Sequence, residues 1–382
     1  MSDVLRVAAV GIPSAVRRLI VAGSLLVLAL ALAFPAAGAQ SQARTYLSAA
    51  QKGVADIRAH WWNDNANWYN DTYNGQPPSM PLARLWSAYP LFETLVGLEL
   101  AQPTQANKSA LTNFADAAAK LYWNPNVKPY GGYGYYPGMS SAQANVYYDD
   151  SGWWGLSFID AYQASHDRAY LADARRAMRF IVGSGWDSKL GGGTWWDTFH
   201  HHKTIEPLAA AVMIGTRLYT LDNDKWALGW TQKMLAWANA HSFNKQRGLY
   251  QRSSTDDTVL DYAQGLMVTA NWELCKALKK PAMCTKAQQV ATASLAAFGQ
   301  DLDWAPMYDV VYLQWMLEYY RESGDARFYN LAAHNGARAL ASVNESGYYL
   351  NNWEGKPLAD GLGEEASNLE LFAWLAASPP PN

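Results

Sequence analysis

The sequence predicts an all-α protein, an (α/α)6 toroid of six inner and six outer helices, on three observations. Helical segments recur in pairs with a period of roughly 50 residues, a length typical of stacked helical repeats. Within a pair the first helix is apolar almost all round, and the second is apolar along one stripe only. No run alternates convincingly enough to predict a strand.

Along the chain, helices are predicted near 42–59, 82–101 and 105–121, then at 149–164, where Trp153 to Ile159 is apolar on every side. Ser165-His166-Asp167 ends that helix and caps the next, since Asp accepts from exposed N–H groups at a helix start. The helix at 167–182 carries Tyr170, Leu171, Ala174, Ala177, Met178 and Ile181 on one face, with Asp173, Arg175 and Arg179 off it. It packs on one side. Leu208 to Ile214 makes 202–220 another inner helix, and Leu221-Asp222-Asn223-Asp224 turns it into an outer one at 222–240. Helices at 258–278 and 283–298 are separated by Lys279-Lys280-Pro281, a break that Cys275 and Cys284 flank. Those cysteines, the only two, are either a local disulfide or two buried thiols. The last pairs lie at 307–322, 325–342 and 363–377, with Ser323-Gly324-Asp325 as a third capping turn.

Six hairpins can stack open or close into a ring, and inner helices without a polar face favour closure. Longer loops follow the outer helices and open on Gly and aromatic residues: Gly131-Gly132-Tyr133, Gly192-Gly193-Thr194-Trp195-Trp196, Gly248-Leu249-Tyr250 and Gly347-Tyr348-Tyr349. Closure gathers them at one mouth.

Arg17 and Arg18 precede an apolar stretch from Leu19 to Phe34, followed by Ala37-Gly38-Ala39. That pattern is a secretory signal peptide over residues 1–39. Residues 40–382 are then a single catalytic domain, secreted or periplasmic, with no integral membrane segment after cleavage. The formal charge of −3 becomes more negative once Arg6, Arg17, Arg18 and Asp3 are removed. Nucleic acid is excluded as a partner, because it requires a basic surface. Only 16% of residues are charged whereas 13% are aromatic, with 18 Trp. The expected ligand is a neutral molecule with apolar faces, such as a glycan.

The run Val146-Tyr147-Tyr148-Asp149-Asp150-Ser151-Gly152-Trp153-Trp154-Gly155-Leu156 sets two acids among aromatic rings at an inner-helix start. In isolation helix capping is the readier explanation of such acids, and the surrounding Tyr and Trp turn the balance toward chemistry. Glycoside hydrolysis requires one protonated and one ionised carboxyl flanking the reacting carbon, and neighbouring like charges separate two pKa values in that way. Carboxyl groups about 5 to 5.5 Å apart suit a retaining route. Adjacency fits retention more easily than inversion.

This run resembles the signature of glycoside hydrolase family 76, the α-1,6-mannanases, which have an (α/α)6 fold. Weaker likeness extends through Gly192-Gly193-Thr194-Trp195-Trp196 with Lys203-Thr204-Ile205, Tyr262-Ala263-Gln264-Gly265 and the Gly324-Asp325 turn. The resemblance implies Asp149 as nucleophile and Asp150 as general acid and base. The chain departs from it at Asp261-Tyr262-Ala263-Gln264-Gly265, where the family has Thr-Tyr-Asn-Gln-Gly, and at Thr204, where an Asn often follows the Lys. Substrate preference is less secure there than reaction class.

Expected substrate contacts are Tyr136, Tyr148, Trp153, Trp195, Trp196, Asp256, Asp257, Asp261 and Tyr262. Weaker candidates are Trp304, Tyr308, Trp353, Glu364 and Glu365. No cofactor and no metal are expected: His200, His201 and His202 are consecutive and cannot all turn to one ion. Cleavage of α-1,6-mannosidic bonds in mannan or manno-oligosaccharides is the leading expectation. Its competitors are a transglycosylase, an unsaturated-uronide hydrolase, a lyase, an epimerase and a non-catalytic glycan-binding protein. A lyase or uronide enzyme calls for Arg or Lys at the mouth, where the named loops carry few.

Overall fold

The computed structural model describes residues 41–73, 79–188 and 191–381. The segment 1–39 read as a signal peptide lies outside them. The chain divides into two units, one ending at Thr45 and the other running from Tyr46 to Pro381. Residues 41–45 are helical, with the Thr45 hydroxyl donating to the Ser41 carbonyl. Everything below concerns the second unit.

Among its described residues there are twelve α-helices: α1 (46–60 within this unit), α2 (Leu85–Ala101), α3 (Gln105–Leu121), α4 (Tyr148–Ser165), α5 (Arg168–Phe180) and α6 (Ile205–Asp222). After these come α7 (Lys225–His241), α8 (Asp261–Leu278), α9 (Pro281–Phe298), α10 (Pro306–Ser323), α11 (Ala326–Ala341) and α12 (Leu362–Ala377). Each falls where the apolar periodicity predicts it. The end of the fifth differs, because Ile181–Gly185 widens into a π-helical turn.

The even-numbered helices are buried on nearly every face, and the odd-numbered ones along a single stripe. Each even helix packs on the next, and α12 packs on α2, so the six close a ring inside the outer six. The fold is an (α/α)6 toroid. Gly152 and Gly155 let α4 approach its neighbours, since an added Cβ would lie 2.6 Å from Ala210 and 2.7 Å from Ile214.

One end of the ring holds the short turns. His166, Asn223, Lys279 and Gly324 each take a left-handed conformation to end an inner helix. Asp167, Asp224 and Asp325 then accept from backbone N–H groups of the next helix, as capping requires. Cys275 and Cys284 form a disulfide across the α8–α9 turn. Nearby, Arg217 of α6 is buried and donates to Asp160 of α4, Glu273 of α8 and Glu318 of α10, at 2.7, 3.0 and 3.2 Å. One guanidinium ties four inner helices.

Three hairpins at the other end escape an alternation test because each strand has two residues: Trp62–Asn63 with Trp68–Tyr69, Trp123–Asn124 with Gly132–Tyr133, and Phe243–Asn244 with Leu249–Tyr250. Each follows an outer helix and begins aromatic-Asn. The Asn side chain accepts from backbone N–H groups two or three residues on, an Asx turn that folds the loop back.

Candidate active site

Every inner helix except α2 begins with an acid in its first turn, and none of α3, α5, α7, α9 and α11 does. The carboxylates of Asp149, Asp150, Glu206, Asp261, Asp309, Glu364 and Glu365 are therefore concentrated at the mouth, where inner-helix N-termini favour negative charge. A cleft of about 650 Å³ opens there. It is lined by Asp149 and Asp150 of α4, Trp196 before α6, Trp86 and Ser87 of α2, Met307 and Tyr308 of α10, and Gly361 and Glu364 at α12. Asp71, Arg84, Tyr135 and Tyr147 complete much of the wall.

Asp149 and Asp150 are 8% and 5% exposed, so both carboxyls are removed from bulk water. Burial, followed by the charge of Glu206, pushes Asp149 up to about 7, against the Trp196 indole N–H that donates to its Oδ2 at 3.1 Å. Burial and then the Asp149 charge hold Asp150 well above the usual carboxylate range. Near neutral pH the pair therefore contains a proton donor beside a carboxyl able to ionise.

Aromatic neighbours divide between the cleft and its backing. Tyr147 faces the cleft, its ring 4.9 Å from Trp196, whereas Tyr148 turns onto Phe180 at 4.8 Å. Trp196 lines the cleft; Trp195, in extended backbone bridged to Lys203, turns away beside His200. Successive residues of extended chain point to opposite sides, which separates Trp195 from Trp196, whereas Tyr148 is the first residue of α4 and turns with the helix. Trp153 is fully buried behind Trp86, at 5.4 Å, and Tyr262 fills the space between Trp153, Trp304 and Tyr308. Tyr136 accepts from the Leu82 N–H, fixing the segment ahead of α2.

The acids before α8 do not line this cleft. Asp256 caps its own turn through the Thr258 N–H and pairs with Arg252 at 3.5 Å, while the Asp257 carbonyl accepts from Arg247. Asp261 is buried against Asp309. Burial raises Asp261 to about 6, and burial together with the Asp261 charge raises Asp309 to about 9. The three histidines go three ways: His200 stacks on Trp195, His201 pairs with Asp197, and His202 stacks on Trp196.

Sequence reading missed Arg84, Asp71 and Glu206. Arg84 is the residue before α2, and Asp71 accepts from its Nε at 3.0 Å and Nη2 at 2.5 Å, from its backbone N–H, and from the Ser87 hydroxyl. Glu206 is 3% exposed, accepts from Arg252 Nε at 2.8 Å, and lies near enough to Asp149 to raise it. Its place in the first turn of an inner helix is the signal that could have found it.

The sequence matches the family described as Glycosyl hydrolase family 76 over residues 46–331. No curated protein matches it. Among solved structures, the GH76 alpha-mannanase BT2949 of Bacteroides thetaiotaomicron is 20% identical, with 87% of this chain and 95% of that one covered at a TM-score of 0.76. The GH76A alpha-1,6-mannanase of Salegentibacter sp. HEL1_6 is 16% identical, covering 87% and 99% at a TM-score of 0.70. Dfg5 of Chaetomium thermophilum, solved with glucosamine, is 15% identical, covering 88% and 92% at a TM-score of 0.70. These likenesses support the same toroidal fold.

Proposed function

The chain belongs to Glycosyl hydrolase family 76, and we propose that it is a retaining glycosidase cutting α-1,6-mannosidic bonds in mannan or manno-oligosaccharides. The observation that carries this reading is the split pair at the cleft: Asp149 is hydrogen-bonded by Trp196, and beside it burial and the Asp149 charge hold Asp150 well above the usual carboxylate range. Asp149, once ionised, attacks the anomeric carbon and forms a covalent mannosyl-enzyme as the bond to the leaving oxygen breaks. Asp150 gives that oxygen its proton. Asp150, now a carboxylate, takes a proton from water, whose oxygen attacks the same carbon and releases Asp149. Two displacements return the original anomer.

Related observations support the reading from outside the chain. A variant of the Salegentibacter mannanase inactivated by Asn at two consecutive Asp positions was solved with alpha-1,6-mannotriose. Arg84, the one Arg or Lys among the described residues lining the cleft, is engaged by Asp71, which argues against an acidic substrate and so against a lyase or uronide hydrolase. Trp86, Trp196, Tyr135, Tyr147 and Tyr308 supply ring surface suited to the C–H faces of a neutral sugar. Export to an oxidising compartment, secreted or periplasmic, accords with the disulfide, residues 1–39 acting as the signal and 40–382 as the catalytic domain.

The test is incubation of residues 40–382 with linear α-1,6-mannan, following reducing ends and product anomers by NMR. Release of α-anomeric products, abolished in Asp149→Asn and in Asp150→Asn, is the expected result. First-formed β-anomers would overturn retention. Undiminished turnover by either variant would overturn the acid pair, and tight mannan binding without turnover would identify a binding protein.

A further inference from the structure

We propose that Trp304 is a sugar-binding platform beside the cleft, receiving a neutral pyranose ring of the glycan beyond the units held at Asp149 and Asp150. The proposal rests on the glycosidase reading above.

Trp304 lies between α9 and α10 and is 52% exposed, although apolar surface of that size is ordinarily worth burying at roughly 25 cal/mol per Å². Its indole is supported from below. The ring stacks on Tyr308 at 4.6 Å and 27° and is parallel to Tyr262 to within 13° at 6.0 Å. Tyr308 lines the cleft. Among the described residues, the other exposed rings, Tyr73, Tyr130, Phe199 and Trp226, have no ring contact with a cleft-lining aromatic. Trp304 continues the aromatic wall of the cleft outward.

The loop that presents it is held in place. Arg338 of α11 donates to Asp303 at 2.6 Å and to the Leu302 carbonyl at 3.3 Å. His334 pairs with Asp301 at 2.6 Å, and Asn335 accepts from the Leu302 N–H and donates to the Gln300 carbonyl. On the other side of Trp304, the Ala305 N–H donates to Asp309. An exposed indole on a fixed loop has little ordering entropy left to lose when a ligand arrives. The loop acids pair with the nearby cations Arg338 and His334, at 2.6 Å in each case. A pyranose ring offers a flat C–H face and no charge, the chemistry an indole face accepts.

The test compares wild type, Trp304→Ala, Trp304→Phe and Phe199→Ala on α-1,6-manno-oligosaccharides of increasing length, with fluorescence titration of α-1,6-mannotetraose. Trp304→Ala is expected to raise KM about tenfold on the longer chains, a loss that grows with chain length, as removal of one aromatic stacking contact predicts. Trp304→Phe should recover most of it, and Phe199→Ala should match wild type. Unchanged KM at every length, or a uniform fall in kcat showing that Trp304 only buttresses Tyr308, would overturn the platform. Should wild type cleave none of these, the glycosidase reading fails separately. The platform is then decided by titrating mannotetraose and α-1,4- and β-1,4-glucotetraose: weaker binding to Trp304→Ala supports it, and no binding or equal binding overturns it.

Discussion

The indole N–H of Trp196 donates to Asp149 Oδ2 at 3.1 Å, joining the loop before α6 to the first turn of α4. That bond favours the ionised carboxyl in a site where burial and Glu206 favour the neutral one. In Trp196→Phe the ring stays and the donor is lost, so the folded pKa of Asp149 rises above about 7. The proposed nucleophile must be ionised, and the acidic limb of kcat/KM should move to higher pH. A hydrogen bond to a charged group contributes about 1.5 to 3 kcal/mol, which sets a fall of roughly 10- to 100-fold at pH 6. A pH–rate profile on mannan checks both.

Glu206→Gln acts with the opposite sign. It removes the carboxylate whose charge raises Asp149, so Asp149 ionises at lower pH and the acidic limb should move down. Activity at pH 5 should rise relative to that at pH 7. A limb that moves upward, or does not move, would show that Glu206 acts only by holding Arg252.

Arg217 should dominate stability at the far end. Its removal leaves Asp160 and Glu273 buried without this counter-charge and Glu318 with Arg321 alone, at 3.4 Å, a change that costs about 3 to 5 kcal/mol. Asp160 and Glu273 are raised to about 7 by burial even with Arg217 opposing. The folded protein thus binds more protons than the unfolded chain between their ordinary values and about 7, and this cluster's contribution falls as pH rises through that window. Urea unfolding of Arg217→Met at pH 5 and pH 8 should show the larger deficit at pH 8.

Replacing Cys275 and Cys284 together by Ser should lower stability by about 2 to 3 kcal/mol, the loop-closure value for a bridge of this sequence separation. The bridge lies at the end of the toroid opposite the acid pair. Unfolding midpoint should therefore drop while kcat/KM on mannan stays unchanged.

The order of the helices was legible because burial on all sides and burial on one side leave different local patterns. Trp153 to Ile159 and Tyr170 to Ile181 show that contrast without reference to any distant residue. The acid pair was legible too, since Asp149 and Asp150 are adjacent and open an inner helix. Of the expected substrate contacts, Trp196 lines the cleft, whereas Tyr148, Trp153 and Trp195 point elsewhere.

What the sequence by itself determined is the ring of helix pairs and the place of the acids at its mouth, because amphipathic period and capping are local properties. Only the tertiary structure decided that Tyr147 and Trp196, not their neighbours Tyr148 and Trp195, face the cleft. It alone joined Arg84 to Asp71, Glu206 to the surroundings of Asp149, and Asp261 to Asp309. Each pairing joins side chains brought together by closure of the ring or the path of a loop, and charges that are far apart in sequence alter one another's ionisation only once the fold has removed the water between them.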